Sequence, residues 1–425
     1  MKRKLPLLLA VPFLLVGCNN AGPAPFNPDD PIDDKSYAKE AVDFNNQESI
    51  DSLFVNIKKA IKNTALKIDN INVEGGLEVP NFYVKDEKKS DSSEYLEENS
   101  STEVTVKDVE AKLNAGIAGL NTAKEFKELS GYVILDSLKG RVKIDTSKGG
   151  EKPQTGEIKV LDPIGLSVYL NENNLYLDLS KIAASDVASI LAGIPSIDLS
   201  TSLTISTIFQ TIKDNTDYIS APTDLLALAN IDISSFTGAN LDETTIDKEL
   251  EGFKTPTVEE IQDTISHFSA LSSLYDLFVG SDTNHGLIFE LDVDVAKGKE
   301  AAIDAIYEEL VKQTEQGQDL PKKEDVAKTF DMFKDLKLST KVKFDKNFVL
   351  TGVELSASID LATSSTNSHY VDEELTVNMT STTEVKGSVS LKFGFDFNSN
   401  VKEKLPKDLD QYILFSDAMT PKTKE

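Results

Sequence analysis

The stretch "LSTKVKFDKNFVLTGVELSASIDL", residues 338–361, decides the fold. Val342 and Phe344 alternate with Lys341 and Lys343, a turn follows at Asp345-Lys346-Asn347, and Val349, Val353, Leu355 and Ile359 carry the apolar positions onward. Alternation with a period of two puts one set of side chains against a core and the other in water. "SVSLKFGFDF" (388–397) repeats the pattern, with Val389, Leu391, Phe393, Phe395 and Phe397 set against Ser390, Lys392, Gly394 and Asp396. Both runs outlast the five or six residues of an ordinary strand. They predict a long, mainly antiparallel sheet that is wet on one side.

Working outward, "GLIFELDVDV" (286–295) and "INVEGGLEV" (71–79) alternate in the same way. Further strands are expected at 104–117, 132–135, 138–144, 158–160, 166–170 and 175–179. "LSVYLNENNLYLDL" (166–179) reads as a hairpin around Asn-Glu-Asn-Asn. The polar run 85–103 reads as a mobile connection.

Helices punctuate these strands. Ile50, Leu53, Phe54, Ile57 and Ile61 recur at spacings of three and four, predicting a helix that begins near residue 40. Short helices are expected in "KIAASDVASILAGI", "STIFQTI" and "TDLLALA" (223–229). A longer one should start at a capping box of Thr257 and Glu260 and carry an apolar stripe through Val258, Ile261, Ile265, Phe268, Leu271, Tyr275 and Phe278. Two more are expected near 299–315 and 322–334. The fold class is therefore α+β: a large, curved, half-barrel-like antiparallel sheet packed with helices, with a helical middle segment. Residues 37–240 and 241–425 form either two related halves, divided within 234–257, or one continuous unit.

The N-terminus carries a different message. Met1-Lys2-Arg3-Lys4 is basic, and the dozen residues Leu5 to Val16 are apolar but too short to cross a hydrocarbon core of about 30 Å as a helix. Residues 1–17 read as a signal peptide. Leu15-Val16-Gly17-Cys18 resembles the bacterial lipobox, and Cys18 is the only cysteine in 425 residues. That resemblance implies cleavage after Gly17, lipid attachment at Cys18 and residence on the extracytoplasmic face of a cell membrane. Two acyl chains would make the anchor stable. Residues 19–36, rich in Pro, Asp and Asn, form a disordered tether of up to about 55 Å. Loss of residues 1–17 would take the net charge from −27 to −30, a field that repels nucleic acid.

No stretch identifies a reaction. In "ELDVDVAKGKE" (290–300) an EF-hand loop counted from Asp292 would need an oxygen ligand where Ala296 stands and glycine where Lys297 stands, so no metal site is read there. The acids Glu290, Asp292 and Asp294 instead occupy the wet face of a strand, with Lys341 and Lys343 expected opposite them. His267 lies on an expected helix, His285 in a turn and His369 in a Ser/Thr-rich loop. Their spacing assembles no nucleophile, and no phosphate-binding glycine motif implies a cofactor. The chain is read as non-enzymatic.

Phe289, Phe344, Phe393, Phe395 and Phe397 share the inner face of the expected sheet. They line an apolar ligand site if the helices leave that face open, and are core if the helices close it. The order of helix, long strands, central helices and further long strands is similar to that of LolA- and LppX-type lipoprotein carriers, in which helices cross the concave face of a half-barrel that binds lipid. This chain is longer than those folds. Tubular lipid-binding domains, a curved sheet around a long helix, are a second architectural likeness. The resemblance implies a membrane-anchored carrier of a lipid or other apolar ligand. The alternative is a structural or host-facing surface protein that binds protein partners and has no internal ligand.

Overall fold

The computed structural model describes residues 38–123, 128–149, 151–171, 174–194, 197–222, 242–313, 322–331, 333, 335–370 and 377–420. The signal peptide, Cys18, the tether, the helix expected at 223–229 and part of the 234–257 boundary lie outside them. Among the described residues, strands β1 to β13 run in chain order over Glu40–Ala41, Asn70–Ser90, Ser100–Ala118, Ser130–Lys148, Gln154–Asn171, Asn174–Asp178, Tyr218–Pro222, Tyr275–Ser281, His285–Asp294, Lys337–Asp345, Leu350–Tyr370, Asn378–Phe397 and Ile413–Leu414. Helices α1 to α8 span Gln47–Lys67, Ala184–Ala192, Leu199–Asn215, Glu243–Leu250, Val258–His267, Val295–Gln313, Lys323–Asp331 and Phe415–Ala418.

All thirteen strands belong to one open sheet in the order β1-β8-β9-β10-β11-β12-β2-β3-β4-β5-β6-β7-β13. Every pairing is antiparallel except that of β13 with β7. The α+β class with a long-stranded antiparallel sheet is thus the observed architecture. Strands from both sides of residue 240 meet where β12 pairs with β2, from Phe397↔Ile71 to Met379↔Ser90.

The strands are longer than the alternation suggested. Residues 85–90 and 100–103, expected as a connection, are strand, and only a 3₁₀ turn at Ser93–Glu98 separates β2 from β3. His369 likewise lies in strand β11, one residue from its end, and not in a loop. Backbone ladder bonds to neighbouring strands hold these ends extended, so they need no apolar alternation.

Two other expectations fail for a related reason. The separate strands 132–135 and 138–144 are one, β4, and 158–160 and 166–170 are one, β5. Register shifts at Leu135/Leu138 and Leu138/Gly140 break the alternation that defines a strand in sequence. Similar shifts occur at Lys107/Glu110 in β3 and Ser388/Ser390 in β12, with Asp108, Gly140 and Gly387 all at positive φ. Bulges that recur across adjacent strands bend the sheet.

Helix α1 starts at Asn46, whose side-chain oxygen accepts the Glu48 N–H at 2.9 Å. Residues 40–41, expected near the helix start, pair with β8 instead. Ile50, Leu53, Phe54, Ile57 and Ala60 make its buried stripe, which rests on Leu287, Phe289, Phe344 and Leu350. The capping box before α5 is present: Glu260 N–H donates to Thr257 Oγ1 at 3.2 Å and Thr257 N–H donates to Glu260 Oε2 at 2.9 Å. The stripe beyond it does not continue as helix. α5 stops at His267, and Tyr275 and Phe278 lie on β8, where the ladder to β9 satisfies the backbone.

Candidate functional site

Residues directly opposite one another in a ladder point to the same face, so the register defines what each face carries. One row runs Val353–Phe395–Val73–Ala115–Val133–Val168–Leu177–Ile219 across eight strands, from β11 to β7. The next is Leu355–Phe393–Gly75–Leu113–Leu135–Leu166, followed by Ala357–Leu391–Leu77–Ala111–Leu138–Ile164. Beyond the bulges, Val385–Val84–Val104–Ile144 continues the apolar surface. From Val73 to Val84 this surface extends about 36 Å.

Helices cover the two flanks of this face. On one side α1 packs over β8 to β11, with Ile71, Val353 and Phe397 at the margin of its cluster. On the other, Ile212 and Phe209 of α3 meet Leu166, Leu177, Leu179 and Ile219. Between the flanks the floor is part-exposed, Val133 at 49% and Leu355 at 36%. Apolar side chains of α3 are open as well, with Leu203 at 59% and Ile208 at 41%.

The five phenylalanines divide accordingly. Phe289 and Phe344 are buried beneath α1, Phe397 lies at the edge of that cluster, and Phe393 and Phe395 are half-buried on the floor with ring centroids 6.5 Å apart. Phe393 lies over its cross-strand partner Gly75; a Cβ added there would come 2.5 Å from Phe393 Cδ1. An aromatic ring shields the backbone that a glycine would otherwise leave open in a strand.

Around β3 to β7 the opposite face is covered by the C-terminal segment. Val401 and Leu405 cover Tyr132, Ile134 and Tyr169, while Tyr412 makes edge contacts with Tyr176 and Tyr218. The Tyr132 hydroxyl donates to Asn72 Oδ1 at 2.7 Å, and burial, then Glu74, pushes its pKa up. Farther along this face Glu290 is buried, with Lys39 at 2.7 Å and Lys341 at 4.0 Å. Lys341 therefore meets the acids of β9 as the spacing suggested. Lys343 does not: it stands opposite Ile288 and pairs with Glu354 of β11 at 2.8 Å.

Helix-bearing and polar character meet at the far end of the sheet. Past Val84 the apolar rows give way to Thr383–Asp86–Thr102–Thr146 and then to Ser381–Lys88–Ser100–Lys148, and His369 stands opposite Met379 one step on. With Glu97 and Glu98 of the 3₁₀ turn these residues bound a pocket of about 550 Å³. It went unread in the sequence because Lys88 and Lys148 are sixty residues apart and only the register aligns them.

His285, expected in a turn, is the first residue of β9, with Nδ1 2.9 Å from Asp282 Oδ2 in the turn before it. Burial raises the Asp282 pKa, but the His285 ring and the Asn284 and His285 N–H groups outweigh it and hold that carboxyl below its ordinary value. The His267 side chain lies outside the described residues. Among those described, no three metal-ligating side chains gather, and no helix is long and apolar enough to cross a membrane. No protein-family model matches the chain, and no curated protein matches it.

Proposed function

We propose that this protein is a membrane-anchored extracytoplasmic lipoprotein that binds and carries a lipid or another elongated apolar ligand without transforming it. The observation that carries this reading is the part-exposed apolar floor between α1 and α3, with Phe393 and Phe395 upon it. A contiguous apolar surface left part-exposed in this way suits binding of an apolar partner. Its length of about 36 Å exceeds the roughly 15 Å of one bilayer leaflet's acyl layer, so a whole chain fits along the rows. The lipobox-like sequence ending at Cys18 supports the anchor, and the net charge of −27 disfavours nucleic acid and polyanions.

Native mass spectrometry with solvent extraction tests the carrier reading on Cys18→Ser protein. A co-purifying hydrophobe, released when Phe393 and Phe395 are both changed to Ser, is expected; a folded preparation that yields none and takes up none from vesicles overturns it. For the anchor, Cys18→Ser should abolish acyl labelling and membrane retention. Membrane attachment that survives the change would refute it.

A further inference from the structure

We propose that the polar pocket at the far end of the helix-bearing face seats the phosphate of an amphiphile whose hydrocarbon chain lies along the apolar rows. This rests on the carrier reading above and adds the chemistry of the head group. The register supplies the juxtaposition: Val385–Val84–Val104–Ile144 gives way on the same face first to the polar row Thr383–Asp86–Thr102–Thr146, whose Asp86 accepts the Thr383 hydroxyl at 3.1 Å, and then to Ser381–Lys88–Ser100–Lys148. Four residues of strand are about 13 Å, so chain and head-group surfaces adjoin along one ligand.

Several lysines of the neighbouring strands are already paired. Lys85, Lys89, Lys139, Lys143, Lys159 and Lys386 each pair with a carboxylate. Among the described residues, Lys88 and Lys148 make no such pair; Lys107 and Lys112 of β3 make none either, but they lie outside this pocket. Lys88 and Lys148 flank Ser100, whose hydroxyl and that of Ser381 add donors at the same level. Two ammonium groups with interposed hydroxyls suit phosphate oxygens. Glu97 and Glu98 close the wall. They repel a second negative charge and accept an amine, so a phosphoethanolamine-type head group fits better than a polyanionic one.

The test uses full-chain Cys18→Ser protein, freed of endogenous lipid and titrated with three probes: dihexanoyl phosphatidylethanolamine, the uncharged amphiphile octyl glucoside, and inorganic phosphate. Lys88→Gln with Lys148→Gln should weaken the phospholipid about tenfold, as two exposed charge contacts allow. Octyl glucoside binding should be unchanged, as should phospholipid binding to the control Lys89→Gln, whose side chain lies on the other face. Unchanged phospholipid affinity in the double variant overturns the head-group site while leaving the carrier reading intact. Equal weakening of octyl glucoside overturns it too, since the lysines would then act through the fold. Inorganic phosphate binding as tightly as the phospholipid assigns the pocket to the free ion and overturns the amphiphile. If neither amphiphile binds the unaltered pocket, both readings fall.

Discussion

Placing a side chain at Gly75 should strain the floor of the helix-bearing face, and removing the ring above it should relieve the strain. A valine Cβ would stand 2.5 Å from Phe393 Cδ1, about 1 Å inside ordinary contact, so the ring must swing off its site. Overpacking of this kind costs about 1–3 kcal/mol, partly offset by the better strand propensity of valine. Phe393→Ala alone should cost about 2 kcal/mol, roughly half the value for a fully buried ring, because the ring is only half-buried. In the double variant the valine occupies space the ring has left. The combined cost should then be about 2 kcal/mol instead of the 4 kcal/mol or so that independent sites would give, a coupling of about 1–2 kcal/mol. Urea unfolding followed by tyrosine fluorescence and far-UV circular dichroism measures all four proteins. Coincident transitions are required before free energies are compared. Additivity within about 0.5 kcal/mol would refute the packing argument, as would a valine variant as stable as the parent.

Lys39→Ala should destabilise by about 1–3 kcal/mol, because it strips the 2.7 Å partner from buried Glu290 and leaves only Lys341 at 4.0 Å; a loss below about 0.5 kcal/mol in urea unfolding contradicts this. The Asp198 carboxylate caps α3 by accepting the Thr201 N–H, the Ser200 hydroxyl and the Thr201 hydroxyl, which lower its pKa from 3.8 to about 2. Its folded pKa is depressed, so its stabilising contribution is whole above pH 3.8 and lost as pH falls toward 2. An NMR titration should place the midpoint near 2, and one near 3.8 rules out the cap. β10 pairs with β11 only as far as Ser358, so among the described residues no strand lies along the outer edge of Ile359–Tyr370. In hydrogen exchange about half the amides of that segment should exchange fast while those of β12 stay protected; uniform protection would show that the edge is covered.

How much of this was legible depended on which force shaped each segment. Strands that bury one side and wet the other, such as Lys337–Asp345 and the Phe393–Phe397 portion of β12, announce themselves by alternation. Helix α1 does so by its three-and-four spacing, and α5 by the Thr257–Glu260 box. Segments held by ladder bonds alone gave no such signal, which is why residues 85–90 and 100–103 read as a connection. Bulges hid the unity of β4 and of β5. A helical stripe that coincided with a strand pattern carried α5 too far, into β8. The inner face was identified through its phenylalanines, but their separation into Phe289 and Phe344 under α1 and Phe393 and Phe395 on an open floor was not.

By itself the sequence determined the α+β class, the long antiparallel strands and which residues share a face, because side-chain direction along a strand or helix is a local property of the backbone. It also carries the lipobox-like stretch ending at Cys18, which is covalent information and needs no fold. Only the tertiary structure decided which parts of the apolar face the helices cover. It alone brought Lys88 and Lys148 into one row, where neither pairs with a carboxylate among the described residues. Those outcomes depend on register and on where α1 and α3 settle, contacts between residues tens to hundreds of positions apart that no local pattern encodes.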